Sequence, residues 1–190
     1  MYSLISDNQF EYFSYSSKIS TFNMNIDEQL NIIRDPIFIS RLKNVTPEEY
    51  QRTLGLIHDL NINFYDIHNV NRREFEFIVA ELVRRKGFKV EVTKKTRDGG
   101  KDIIAIRNLS GIPIKIIVEC KHPNIGNPVG VDIVRSLYGV HNSKNGPNKS
   151  LLVTSSYLTK DARNFVKNEV NSQWEMSLYD LQDLQNWLVS

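Results

Sequence analysis

DGGKDIIAI (98–106) and, after a short turn, IIVECK (116–121) hold an aspartate, a glutamate and a lysine at the ends of two apolar runs. Ile103 to Ile106 is β-branched apart from Ala105 and reads as a buried strand opened by Asp102. Asn108 to Pro113 is turn material, and Ile114 to Lys121 reads as a second strand returning antiparallel. Side chains alternate across a sheet, so Glu119 and Lys121 share one face while Val118 and Cys120 share the other. A turn centred near Gly111-Ile112 sets Asp102 opposite Lys121; pairing shifted by two residues sets it opposite Glu119. Both registers have the same parity, so Asp102, Glu119 and Lys121 project from one side of the hairpin.

Two neighbouring carboxylates resist joint ionisation unless a cation lies between them. Mg²⁺ prefers oxygen ligands of this kind and keeps positions open for a phosphate. A lysine beside such an ion can orient a water or balance charge on a phosphorane. An isolated E-x-K occurs by chance and can simply face solvent. Here, however, Ile116, Ile117 and Val118 run without alternation, as in a central strand covered on both faces. Charges ending such a strand are costly to bury unpaired. Cys120 points away from the acids and reads as packing.

Working outward, Asn71 caps an expected helix from Arg72 to Lys86, ended by Gly87. Phe75, Ile78, Val79, Leu82 and Val83 form its apolar stripe, and Glu74, Glu76 and Glu81 are its acids. Glu76 stands at the edge of the stripe, where it can look into a cleft. Phe88 to Val92 reads as a strand and Thr93 to Gly100 as a basic loop. In that loop Asp98 orders the turn and Gly99-Gly100 supplies positive φ before Asp102. Beyond the hairpin, His122 to Pro128 is a loop. Val131 to Gly139 is a helix, Ser150 to Ser155 a buried strand, and Thr159 caps a helix bearing Ala162, Phe165 and Val166. Met176 to Tyr179 is a last strand, and Asp180 caps a helix bearing Leu181, Leu184 and Leu188. This order predicts an α/β fold with a mixed central sheet flanked by helices.

Upstream, Thr46-Pro47-Glu48-Glu49 is a capping box opening a helix to about Leu60. Ile26 to Ile33 is weakly helical, and residues 1–23 have no clear period. The expected organisation is a small, mainly helical N-terminal appendage over residues 1–70 and a second domain over 71–190.

REFEFIVAELVRRKGFKVEVTKKTRDGGKDIIAI, then VECK, then LLVTSSYLTKDARNF resembles the Mrr-type restriction endonuclease domain of the PD-(D/E)xK nuclease superfamily. The likeness runs from about Asn71 to the C-terminus; the first third carries none. It implies a restriction-endonuclease-like core and metal-dependent hydrolysis of DNA, leaving 5′-phosphate and 3′-hydroxyl ends. Carried over residue by residue, Asp102 and Glu119 with the Cys120 backbone carbonyl would hold Mg²⁺, for which Mn²⁺ substitutes. Lys121 would be the catalytic lysine and Glu76 the helix carboxylate. Relatives often carry glutamine where this chain has Glu119, and arginine where it has His122.

The 190 residues carry a formal charge of only +2, yet Arg84, Arg85, Lys86, Lys89, Lys94, Lys95, Arg97 and Lys101 cluster beside the proposed site. Such a rim suits a polyanion, because contacts to phosphates release counterions. Lys94, Lys95, Arg97 and Lys101 are the expected DNA contacts. One cysteine rules out an internal disulfide and suits a reducing compartment, and no apolar run reaches membrane-spanning length. The expected location is the cytoplasm, without a signal segment. The four histidines lack metal-ligand spacing, and no phosphate-binding glycine loop or nucleophile elbow is present. Cutting both strands of a duplex needs two active sites, so a dimer or larger assembly is expected, with residues 1–70 available to a protein partner. Three other readings share these residues: an RNA-directed nuclease, a non-catalytic binding module, and a defence effector active only on assembly.

Overall fold

The computed structural model describes residues 42–62, 66–93, 101–172 and 174–189. All belong to one compact unit, Ser40–Ser190. The expectations for residues 1–23 and for Ile26 to Ile33 lie outside the described residues, as do those for Lys94, Lys95, Arg97, Asp98 and Gly99-Gly100.

The chain forms β1 (Leu42–Lys43), α1 (Pro47–Asn61), a 3-10 turn (Ile67–Asn69), α2 (Arg72–Arg85), β2 (Lys89–Val92), β3 (Ile103–Leu109) and β4 (Ile112–Lys121). It continues with α3 (Val131–His141), β5 (Lys149–Thr154), α4 (Lys160–Asn168), β6 (Met176–Tyr179) and α5 (Leu181–Leu188). The six strands lie side by side in chain order. The β2–β3–β4 meander is antiparallel, whereas β1 joins β2, β5 joins β4 and β6 joins β5 in parallel. The sheet is therefore mixed and flanked by helices, as the order of elements predicts.

Local chemistry explains the boundaries. Thr46 Oγ1 accepts from the Glu49 N–H while a Glu49 carboxylate oxygen accepts from the Thr46 N–H, with Pro47 in the first turn of α1. Asn71 and Glu74 form the same reciprocal box at the start of α2. Gly87, at φ +89°, lets the chain leave α2 in a conformation other residues adopt at a cost. The β3–β4 turn is tighter than the sequence reading: strand pairing continues to Leu109 and Ile112, leaving only Ser110 and Gly111 between. Both have positive φ, 51° and 92°, as a two-residue hairpin requires, and Asn108 Oδ1 accepts from the Gly111 N–H.

Ile117, Val134, Leu137, Leu152, Ala162 and Met176 form a buried cluster between the sheet and the helices α3 and α4. Helix α2 packs on β2, β3 and β4, with Phe75, Ile78, Val79, Leu82 and Val83 all buried as the periodicity predicts. Its burial goes beyond a stripe, because Phe77, Ala80, Glu76 and Glu81 are buried too. Helix α1 covers part of it: Tyr50, Ile57 and Leu60 are buried, and α1 also meets α5. Phe75 is fully enclosed, so its truncation to alanine is expected to cost about 3–5 kcal/mol.

Candidate active site

The hairpin adopts the second of the two registers. Ile103 pairs with Val118 as the last pair of the ladder, and Asp102 precedes it just outside the strand pairing. The Asp102 N–H donates to the Val118 carbonyl at 3.0 Å, and Asp102 Oδ2 accepts from the Cys120 N–H at 2.7 Å. The aspartate is thereby held against the backbone between Glu119 and Lys121. Lys121 Nζ lies 2.5 Å from Glu119 Oε1. Cys120 alternates to the other face and is fully buried, and burial holds its thiol well above the usual range. It packs.

Helix α2 brings Glu76 to the same place. Arg73 Nη1 donates to Glu76 Oε2 at 2.7 Å and to the Thr93 carbonyl at 2.9 Å, with its guanidinium over the Phe77 ring. Arg72 Nε lies 3.4 Å from Glu76 Oε1, and its Nη2 lies 3.8 Å from Asp102 Oδ1. One arginine thus spans the helix acid and the hairpin acid. Neither Arg72 nor Arg73 was singled out by the motif reading. Their signal lay in helical spacing, since residues three and four before Glu76 share its side of the helix.

Asp102, Glu119 and Glu76 are only 6%, 7% and 6% exposed, so each carboxylate meets little water. Asp102 responds most: its pKa is pushed up to about 6, chiefly by burial. The Cys120 N–H pulls it down, Glu119 and Glu76 push it up further, and Arg72 offsets part of the rise. Glu119 Oε2 is buried without a hydrogen-bond partner. A buried carboxylate oxygen without a partner is expensive, and a cation would relieve both it and the strained ionisation of Asp102. Among the described residues no group of three or more His, Cys, Asp or Glu side chains is arranged to hold an ion. A site of two carboxylates completed by backbone carbonyl, water and substrate phosphate suits Mg²⁺, and excludes the thiolate and imidazole sets of structural zinc.

The surrounding loops are tightly tied. His122, directly after Lys121, has Nε2 at 2.9 Å from the Val70 carbonyl and Nδ1 at 2.6 Å from Ser155 Oγ. Its ring stacks on Phe75 at 5.0 Å. A carbonyl only accepts, so Nε2 carries the proton and Nδ1 accepts from the serine hydroxyl. Burial lowers the imidazole pKa, the bond to Val70 works against this, and His68 adds to the lowering. Of the expected DNA contacts, Lys101 is half-buried at the entrance to β3, where its carbonyl accepts from Thr93 Oγ1. Arg84 and Arg85, which also belong to the basic cluster, pair with Glu81, Arg84 largely enclosed and Arg85 still exposed.

A model of the restriction endonuclease family, the Mrr catalytic domain, matches residues 67–188. The chain belongs to that restriction endonuclease family. The match contains Glu76, Asp102, Glu119 and Lys121. Among solved structures, the chain is similar to the DNA modification-dependent restriction endonuclease AspBHI, at 24% identity and TM-score 0.48, over 76% of this chain and 35% of that one. It is also similar to the MspJI restriction endonuclease solved with a 27-mer oligonucleotide, at 16% identity and TM-score 0.49, over 77% of this chain and 32% of that one. A protein of unknown function, AF1548, is 20% identical at TM-score 0.43, over 54% of each chain. This chain therefore spans about a third of the length of the first two. No curated protein matches.

Proposed function

We propose that this restriction endonuclease family member is a Mg²⁺-dependent DNA endonuclease. The reading is supported above all by the buried, unpartnered Glu119 Oε2 beside Asp102, within reach of one ammonium group. Asp102, Glu119 and the Cys120 carbonyl are the residues that would hold Mg²⁺ or Mn²⁺. Bound there, the ion would supply Lewis-acid polarisation of the scissile phosphate and lower the pKa of a water.

The chain's own groups do the rest. Asp102, fixed by the Cys120 N–H, and Glu119, fixed by Lys121, form an anionic floor that needs no rearrangement. Lys121 orients the attacking water and offsets charge growing on the phosphorane. Glu76 orders solvent at the same centre, steadied by Arg73. The leaving oxygen becomes a 3′-hydroxyl and the phosphate stays on the 5′ end. Lys94, Lys95, Arg97 and Lys101 supply phosphate contacts. Residues 71–190 carry this chemistry; of residues 1–70, β1, α1 and Val70 belong to the same compact unit, and this N-terminal part is available to a homodimer or a protein partner. Defence against foreign DNA in the cytoplasm is the setting that fits one cysteine; no helix among the described residues is long and apolar enough to cross a membrane.

The test is cleavage of plasmid DNA by purified protein with Mg²⁺ or Mn²⁺, beside EDTA controls and matched RNA. Cutting that Asp102→Ala and Lys121→Ala abolish while staying folded supports the proposal. Preference for RNA moves the substrate class. Nucleic-acid binding that persists in EDTA and in Asp102→Ala, without cleavage, overturns it in favour of a binding module.

A further inference from the structure

Three segments that carry the proposed chemistry meet at one ring. His122 follows Lys121 on β4. Its Nε2 reaches the Val70 carbonyl, immediately before the Asn71 cap of the helix bearing Arg72, Arg73 and Glu76. Its Nδ1 reaches Ser155, just past β5, and the Ser155 N–H donates back to the Lys121 carbonyl at 3.2 Å. Ser155 and Phe75, the partners on either side, are fully buried. The ring therefore has little freedom, and both nitrogens are used.

We propose that His122 is a positioning residue, a brace that sets the distance between the N-terminal turns of α2 and the end of β4. The other directed ties from this end of α2 reach the sheet elsewhere, Arg72 at Asp102 and Arg73 at the Thr93 carbonyl, and apolar contact resists sliding poorly because it is non-directional. Two directed hydrogen bonds and a stacked ring resist it in every direction. Glu76 and Arg72 approach Asp102 from α2, whereas Glu119 and Lys121 come from β4, so a slide of about an ångström would spoil their mutual geometry. The brace acts through these groups; the imidazole touches none of the reacting atoms.

For its rate readout the inference rests on the nuclease reading, and amide exchange tests it separately. His122→Phe keeps ring stacking and loses both hydrogen bonds. Its expected signature is a fall of about 10–100-fold in kcat, with KM for DNA changed by less than about threefold. His122→Gln, which places an amide N–H near the Nε2 position, should restore most of kcat. In the same variants, amide exchange over residues 70–76 should speed up in His122→Phe and return towards wild type in His122→Gln. Equal losses in the two variants, or wild-type exchange at 70–76 in His122→Phe, overturn the brace. Should wild type cut neither DNA nor RNA, the nuclease reading fails while the exchange arm still decides the brace. If His122→Phe does not fold, His122→Asn, which can reach Ser155 but not Val70, carries the same readouts. A wild-type rate and exchange in that variant overturn the inference.

Discussion

Helix α2 buries two glutamates little more than one turn apart, and their surroundings differ. Glu81 is 1% exposed, and Arg84 meets both its oxygens, at 2.5 and 2.8 Å, while Arg85 adds a contact at 3.0 Å. Its hydrogen bond raises the Arg84 pKa above even the usual guanidinium value. Tyr50 from α1 faces the same carboxylate, and its hydroxyl pKa rises through burial first and the Glu81 charge second. Glu76 faces Asp102 and Glu119 instead. There the Arg72 contacts are long, its side chain is 63% exposed, and Glu119 Oε2 has no hydrogen-bond partner. The first centre is closed by the chain itself. In the second, desolvated negative charge remains incompletely matched, which is what a site awaiting a cation and a phosphate requires.

The largest effect expected is on chemistry at the open centre. Lys121→Ala and Asp102→Ala should each lower cleavage by about 10²–10³-fold or more, read from plasmid nicking rates, while Glu81→Gln stays close to wild type at temperatures where it is folded. A comparable catalytic loss in folded Glu81→Gln would erase the distinction. For stability the order reverses. Glu81→Ala takes the carboxylate from the largely enclosed Arg84 guanidinium and should cost about 3 kcal/mol, a fall of roughly 6–12 °C in thermal midpoint.

Asp102→Asn is expected to go the other way. An acid whose folded pKa is about 6 holds its proton in the folded chain at a pH where the unfolded chain, near 3.8, has lost it. Wild-type stability should therefore fall as pH rises from about 4 to 6 and stay reduced above that. At pH 8 in EDTA, Asp102→Asn should be more stable than wild type by up to about 2 kcal/mol, with the gain vanishing near pH 4. A destabilised variant at pH 8 would show that the buried charge is already compensated. Adding Mg²⁺ should raise the wild-type midpoint and leave Asp102→Asn and Glu119→Gln unmoved. A shift in either variant would place the ion elsewhere.

The smallest effect is expected at Tyr50→Phe, which removes one hydroxyl from the closed centre: about 1 kcal/mol in stability, and no change in cleavage rate.

Much of this was legible in the chain. Alternation over Val118-Glu119-Cys120-Lys121 places the acid and the ammonium on one face whichever register the hairpin takes, because that parity is a local property of an extended backbone. Capping boxes at Thr46 and Asn71, the apolar spacing of α2 and the family motifs are equally local, and they led to the mixed sheet and the four named site residues. Tertiary structure decided the rest. The choice of Ile103 opposite Val118 depends on a turn only two residues long. The burial of Glu81 and Glu76 and the two bonds of His122 depend on which elements pack together. Charge neutralisation and burial are sums over neighbours remote in sequence, such as Val70 with His122, and no local pattern contains them.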